Sequence, residues 1–308
     1  MLDYRSLTFL EVFEQQSYTR AAEALHITQP AVSSHIRQLE AHYEVTLFKK
    51  SGRSIEPTQA AQALYTHLLA ARNDDQRLVA QVKGLEQGLG AQPPLRFGCT
   101  RTVVDYAAPR FLPAHVLAHP DEQIHMRCGN TRELVRDIEE GTIDFALVEG
   151  SFDHTEFDSA IFSTEKYVAV AAPTAGAAAR PASIRDLLGY RLIVREEGSG
   201  TREILERNLA AHELGLGDFA GTLEVGSIQA IKACAAAGVG ITFLYRAAVE
   251  DDLAAGTLCD VTPADFAINH DFCLIWQRGS RYEKHYRALN KSWKALYLAA
   301  RAGQPDRA

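Results

Sequence analysis

The sequence predicts an α/β protein in three parts: a small helical domain with a β-wing, one long connecting helix, and a larger α/β region built in two halves. Three observations predict it. Residues 17–40 fit two short helices joined by a tight turn, apolar residues step by four and three through residues 64–89, and short apolar runs alternate with helical patterns from Leu95 onward. At 308 residues, 46% hydrophobic and 23% charged, the chain has material for two or three domains with their own cores. No stretch approaches a membrane span, and Met1-Leu2-Asp3-Tyr4 lacks the basic-then-apolar opening of a signal peptide, so a cytoplasmic protein without membrane partners is expected. Five scattered cysteines fit a reducing compartment and no disulfide framework.

The helical pair comes first. Small Ala21 and Ala22 permit close packing, and Leu25, Ile27, Val32, Ile36 and Leu39 recur at core spacing. That leaves Gln29, Ser33, Ser34 and Arg37 facing outward, a polar face suited to a DNA major groove. Thr28 can cap the second helix and Pro30 suits its first turn, so the base-reading end is also the well-defined end. Next, Val45 to Thr58 reads as a β-hairpin whose Ser-Gly turn lies between Lys49, Lys50 and Arg53, cations placed to reach phosphates or the minor groove. The net charge of −7, and six cations against seven carboxylates in residues 1–58, exclude a broadly basic patch. Positive charge concentrated on the helix and wing, with an acidic remainder, suppresses unspecific binding.

Residues 1–58 resemble the winged helix-turn-helix of LysR-type transcriptional regulators. The matching stretches are Phe9 to Phe13, Ser17 to Leu25, Gln29-Pro30-Ala31-Val32-Ser33, Ile36 to Glu40, and Val45-Thr46-Leu47-Phe48. Three positions depart from the family pattern: Glu44 and Ala61 stand where glycine is usual, and Lys50 where arginine is more common. Residues 59–90 then form the long helix, with Leu64, Leu68, Ala71, Asp75, Leu78, Val82, Leu85 and Leu89 as a heptad seam. At 1.5 Å per residue a helix from Gln59 to Gln87 is about 43 Å long. By resemblance this is a linker helix that pairs two subunits antiparallel, which implies a homodimer and, through the larger domains, a homotetramer. Gly88, Gly90, Pro93 and Pro94 end it.

Strands are expected at Leu95–Cys99, Ile124–Cys128, Phe145–Val148, Val168–Ala171, Leu192–Val194, Leu223–Val225, Ile241–Leu244 and Ile268–Trp276, with a last helix over 283–300. The second half is expected to begin at Thr164, and the resemblance implies that the last strand and helix return to the first. The result is a two-lobed α/β effector domain like that of periplasmic binding proteins, with subdomain I formed by 91–163 and 268–302 and subdomain II by 164–267. Ligands of open α/β sheets sit at strand carboxyl ends, where helix N-termini offer free N–H groups. Four such starts carry hydroxyls or glycines: Thr100-Arg101-Thr102, Asn130-Thr131, Gly198-Ser199-Gly200-Thr201-Arg202 and Gly226-Ser227. Dipoles pointing inward from both lobes favour a small anion.

The wording of Gly129 to Glu133, Leu147 to Gly150, Arg195 to Arg202 and Val225 to Lys232 is similar to the CysL/CbbR-like branch, regulators that sense small anionic metabolites; Glu197 stands where that branch often has proline. By that resemblance Thr100, Thr102, Thr131, Glu149, Ser199, Thr201 and Arg202 are the effector-site candidates. Arg202 either meets an oxyanion or pairs with Glu206 one turn later. Other features carry less. His115 and His119 have the spacing of a metal pair but no third ligand beside them, so no metal is expected. Cys99 and Cys128 end two neighbouring apolar runs, which leaves thiol-based redox sensing as an alternative. Trp276, Tyr282, Tyr286, Trp293 and Tyr297 read as packing. An enzyme or a ligand carrier could use two lobes. No Ser/His/Asp, phosphate-loop or metal arrangement appears, so no cofactor is expected; an enzyme would not need residues 1–90, and the missing export signal speaks against a carrier. The expected partners are double-stranded promoter DNA, a small anionic effector and RNA polymerase.

Overall fold

The computed structural model describes residues 2–51, 54–86, 94–173 and 181–302. Three helices open it: α1 (Tyr4–Gln15), α2 (Tyr18–Ala24) and α3 (Gln29–Tyr43). Each begins on a side-chain cap, with Asp3 accepting from the Ser6 amide, Ser17 from Arg20 and Thr28 from Ala31. Ala21, Ala22, Val32, Ile36 and Leu39 are buried with Phe9 and Val12 in one core. Leu25 is only half-buried and Ile27 is 38% exposed, so these two expected core positions leave it. The tight turn explains why, since His26 adopts φ +55° and swings the chain around the end of α2. Strands β1 (Phe48–Ser51) and β2 (Ser54–Pro57) pair antiparallel as the wing. Its tip, with Arg53, lies outside the described residues.

Helix α4 (Gln59–Glu86) carries the chain away. The expected seam divides its work. Leu64 and Leu68 pack into the N-terminal core, whereas Leu78, Val82 and Leu85 are exposed together with Val79. Between these halves α4 docks on the α/β region through polar contacts: Arg72 donates to the Glu139 carbonyl at 2.8 Å and Asn73 to the Ile138 carbonyl at 2.6 Å. Arg77, 4% exposed, pairs with Asp144 at 3.2 Å and lies 4.5 Å over the Tyr282 ring. Gly88, Gly90 and Pro93, read as its terminators, fall outside the described residues.

The remaining elements are β3 (Leu95–Thr100), α5 (Ala108–Ala118, entered through a π-turn over Val103–Ala107), β4 (Ile124–Gly129), α6 (Thr131–Glu139), β5 (Phe145–Val148), β6 (Phe157–Ala171), β7 (Arg191–Val194), α7 (Gly200–Ala211), β8 (Gly221–Glu224), α8 (Ile228–Ala236), β9 (Ile241–Tyr245), α9 (Arg246–Ala254), β10 (Cys259–Asp260), β11 (Ile268–Gln277) and α10 (Glu283–Ala302). The sheet runs β4-β3-β5-β11-β6-β9-β7-β8, with β10 added beside β6. β3 pairs parallel with β4 and β5 in one lobe, and β7 parallel with β8 and β9 in the other. Between them β6 and β11 run antiparallel from the pair Ile268–Tyr167 to the pair Gln277–Phe157.

These two long strands correct one expected element: Thr164 sits inside β6, a continuous strand Phe157–Ala171 where the sequence reading started a strand only at Val168. The polar run Ser163-Thr164-Glu165-Lys166 concealed it, although two of its side chains have specific partners: Thr164 donates to Asp271, and Tyr297 and Arg301 donate to the buried Glu165. Helix α10 packs on α5 through Trp293, whose ring lies 4.8 Å from Phe111 and 5.0 Å from Phe97. The aromatic C-terminal stretch is therefore core.

Candidate functional site

Two surfaces answer to the sequence-predicted chemistry. On the first, the turn before α3 leaves Thr28, Gln29 and Pro30 exposed, Ser33 and Ser34 half-buried, and Arg37 exposed one turn on. Gln29 Nε2 donates to Ser33 Oγ at 2.8 Å and Arg37 Nε to the Ser33 carbonyl at 3.2 Å, so the polar side chains are pre-aligned along one face. Lys49 and Lys50 on β1 are exposed beside it. No part of the rest of the chain covers this face among the described residues, as a groove-reading helix requires.

The second surface lies between the lobes, where β3, β5 and β7 end. Glu149, 2% exposed, is its centre. Thr100 donates to one carboxylate oxygen, and Thr102 and Thr201 approach the other at 3.0 and 3.4 Å. Burial raises the Glu149 pKa, against the hydrogen bonds from Thr100 and Thr102 and the more distant charge of Arg195. Thr100 and Thr102 come from the first lobe and Thr201 from the second, so this carboxylate joins the lobes. They touch closely beside it: a Cβ built on Gly200 would lie 2.5 Å from the Gly150 Cα, and one on Gly150 would strike Thr131 Oγ1. Glycine is needed at both positions for backbone to meet backbone.

Not all four helix starts behave alike. Asn130 caps α6 in a reciprocal box with Glu133, and Ser227 caps α8, which accounts for both without a ligand. Ser199 precedes α7, is buried, and makes no capping bond. Thr131 Oγ1 is buried with no partner among the described residues. Arg202 turns away from the cluster, donating to Glu206 at 2.7 Å and Glu224 at 2.6 Å and bracing the Arg195 carbonyl at 3.3 Å. The salt-bridge alternative holds for that residue, because two carboxylates outbid an inward pose.

Sequence reasoning passed over Arg195. It directly follows β7, is 3% exposed, and spends Nε and Nη2 on Glu196 at 2.8 and 2.9 Å, while Nη1 is buried without a partner. A cation at a strand's carboxyl end, just before a Gly-Ser-Gly helix start, was the available signal. Cross-lobe bonds surround the site and can part: Arg101–Glu196 at 3.5 Å, Arg132–Glu197 at 3.7 Å, and Ser151 N to Glu203 at 3.2 Å. Cys99 and Cys128 are register partners on β3 and β4, but burial raises both thiols and so depletes the reactive thiolate. A cavity of about 430 Å³ lined by Arg96, His125, Met126, Arg127, Thr142 and Ile143 lies at the β4 edge, away from the cleft. Lastly, Glu122 stands with His115 and His119 as the third side chain that the sequence reading had found missing.

A reading helix joined by a long helix to a hinged two-lobed α/β domain defines a ligand-responsive DNA-binding protein. Two family models match the chain: the bacterial regulatory helix-turn-helix protein of the lysR family over residues 6–62, and the LysR substrate binding domain over residues 89–291. The chain belongs to the LysR family of transcriptional regulators. The regulator YeiE of Escherichia coli K12 is 31% identical over 82% of this chain and 83% of its own length. CbbR of Rhodospirillum rubrum is 29% identical over 96% of this chain and 97% of its own, in line with the branch resemblance. Among solved structures, the Synechocystis CcmR regulatory domain in complex with 2-PG superposes with a TM-score of 0.59 at 21% identity, covering 66% of this chain and 97% of that domain. No helix among the described residues is long and apolar enough to cross a membrane.

Proposed function

We propose that this regulator holds a small anionic effector between its lobes, against Thr131, Ser199 and Arg195 and next to the Glu149 carboxyl, and that the bound anion resets the grip of α3 on DNA. The observation that carries this is the pair of buried donors without partners, Thr131 Oγ1 and Arg195 Nη1, on opposite lobes of one cleft. Buried donors are costly to leave unmet, so an anion satisfying both gains more than surface contacts would give. Thr100, Thr102 and Thr201 already serve Glu149, and Glu149 repels an anion unless it is protonated, which its burial favours. These four then act as the sensing core, and Arg202 positions Arg195. The CcmR domain bound to 2-PG supports a small-molecule site in this fold.

The DNA contacts in this reading are Thr28, Gln29, Pro30, Ser33, Ser34 and Arg37 in the major groove, with Lys49, Lys50 and Arg53 on the backbone. The exposed stripe Leu78, Val82 and Leu85 supports pairing of α4 with a second copy, and further association of effector domains gives a tetramer. The assembly works in the cytoplasm as a regulator and not as an enzyme, and changes transcription by presenting RNA polymerase with differently bent promoter DNA.

Thermal-shift measurements on the full chain with sulfur oxyanions, phosphorylated sugars, nucleotides and small carboxylates test the site. One class should raise the Tm of the wild type and fail to do so for Thr131→Val, a change that costs the fold no hydrogen bond. A Tm shift of equal size in Thr131→Val and Arg195→Gln would place the ligand elsewhere.

A further inference from the structure

The C-terminal end of α5 carries a group of side chains that the effector site does not use. His115 and His119 share a helix face through i, i+4 spacing. The chain then reverses at once: Pro120 and Asp121 occupy a turn, with the Glu122 amide donating to the His119 carbonyl at 3.1 Å. The turn folds Glu122 back over the helix end, where its Oε2 lies 2.8 Å from His115 Nε2. One ligand atom from each of the three residues lies within 4.8 Å of the other two.

We propose that His115, His119 and Glu122 form a binding site for a divalent transition metal of the zinc type. Two imidazoles and one carboxylate suit zinc and its first-row neighbours and not magnesium or calcium, which take oxygen ligands. Metal–ligand bonds of roughly 2.0–2.1 Å in a tetrahedron set the ligand atoms roughly 3.3 Å apart. The spacing here, from 2.8 Å up to 4.8 Å, spans that value, so side-chain rotation alone completes the geometry.

The tautomer of His119 is already set for it. Its Nδ1 lies 2.9 Å from the His115 carbonyl, which can only accept, so Nδ1 carries the proton and Nε2 keeps a free lone pair. His115 Nε2 faces Glu122 at 2.8 Å; for a metal to take Nε2 the neutral imidazole carries its one proton on Nδ1, so binding moves that proton from Nε2 to Nδ1 without net release. The His115 ring is held in place by Trp293, edge-on at 5.5 Å, while exposed His119 leaves an entry path and room for water in the fourth position. The site is remote from the effector cleft but close to the linker. Trp293 belongs to α10, and so does Tyr286, which accepts from Arg77 of α4 at 3.3 Å. A metal fixing α5 to its following turn therefore stiffens the body on which α4 stands.

The test is calorimetric titration of the full chain with zinc chloride, repeated with His119→Ala and Glu122→Gln, and visible spectroscopy after loading with cobalt. One equivalent should bind to the wild type, and each variant should lose roughly 100-fold in affinity, since even supporting groups around a metal contribute 10–100-fold. His119 is exposed and Gln at 122 can still accept from His115, so both variants fold; an unchanged Tm in chelator verifies this. The cobalt form should show tetrahedral d–d bands without thiolate-to-metal charge transfer. Absence of binding in the wild type, full affinity in either variant, or a thiolate band that assigns the metal to a cysteine overturns the proposal.

Discussion

Arg77→Met is the sharpest probe of how the linker helix stands on the effector domain. The guanidinium is 5% exposed, 3.2 Å from Asp144, and lies over Tyr282 at 4.5 Å. Removing one partner of a buried pair costs about 3–5 kcal/mol when the other charge is left alone. Asp144 is not left alone, because Arg96 donates to it at 2.6 Å. That retained partner takes away most of the orphaned-charge penalty, while the lost cation–π contact adds about 1 kcal/mol. Methionine refills most of the volume, so the net cost is about 2–3 kcal/mol. Denaturant unfolding of the full chain measures it, and a double-mutant cycle with Asp144→Asn isolates the pair. Because α3 is far from this contact, basal affinity for the specific site should change less than about twofold, a difference under 0.5 kcal/mol, while the response to effector weakens. A stability loss below about 0.5 kcal/mol, the range of ordinary surface changes, would show that α4 is not anchored here.

Other substitutions probe single links of the same chain. Arg37→Ala should weaken specific DNA binding by about 1–3 kcal/mol if the residue reads a base, measured by gel shift against specific and scrambled duplexes; unaltered affinity removes it from the reading set. Glu44→Gly should raise stability by about 1 kcal/mol, because Glu44 ends α3 at φ +56°, where a side chain is strained; a lower Tm would mean that the Glu44 side chain has a stabilising role. Gly200→Ala should lower the Tm although alanine favours a helix start, since its Cβ would press on Gly150 backbone at 2.5 Å. Glu139 is pushed up to about 7 by burial and by Glu156 and Glu14. Its folded value exceeds its unfolded value, so the stability it supplies is present below the usual carboxylate range and lost as pH rises through about 7. Glu139→Gln should gain on the wild type over that interval, by about 1 kcal/mol after allowing for solvent screening, and parallel pH profiles would exclude the effect.

Much of this was legible beforehand because the signals were local. The cap at Thr28, the small pair Ala21-Ala22 and the hydroxyl-bearing helix starts are decided within a few residues of sequence, and they marked out the reading helix and the carboxyl-end cleft. What stayed hidden depended on partners far along the chain. Ser163 to Lys166 looked unlike a strand until β11 and α10 supplied Asp271, Tyr297 and Arg301. Leu64 and Leu78 share one heptad seam, yet one meets its own core and the other solvent, because the helical domain packs on only the first half of α4. Arg195 follows β7 and Arg202 stands in the first turn of α7. Only the fold shows that Glu224, on the neighbouring strand, holds Arg202 and that Arg195 keeps an unmet donor.

The placement of Glu149 follows from the same competition. A carboxylate enclosed by hydroxyls from both lobes occupies the position that an anion's oxygens would seek, so it holds the cleft partly closed by the bonds that an effector would otherwise make. Its burial opposes charge, and the threonine bonds favour it. Under the proposed function an arriving anion would shift that balance toward the protonated carboxyl, which could then donate a hydrogen bond of its own. Effector binding in this scheme takes up a proton, and apparent affinity must fall as pH rises. Glu149→Gln, neutral and of the same shape, should bind the anion with little pH dependence, read from titrations between about pH 6 and 8 around the ordinary working range. If the wild-type affinity is equally flat across that range, no proton is taken up at Glu149 on binding and the proton-linked scheme fails.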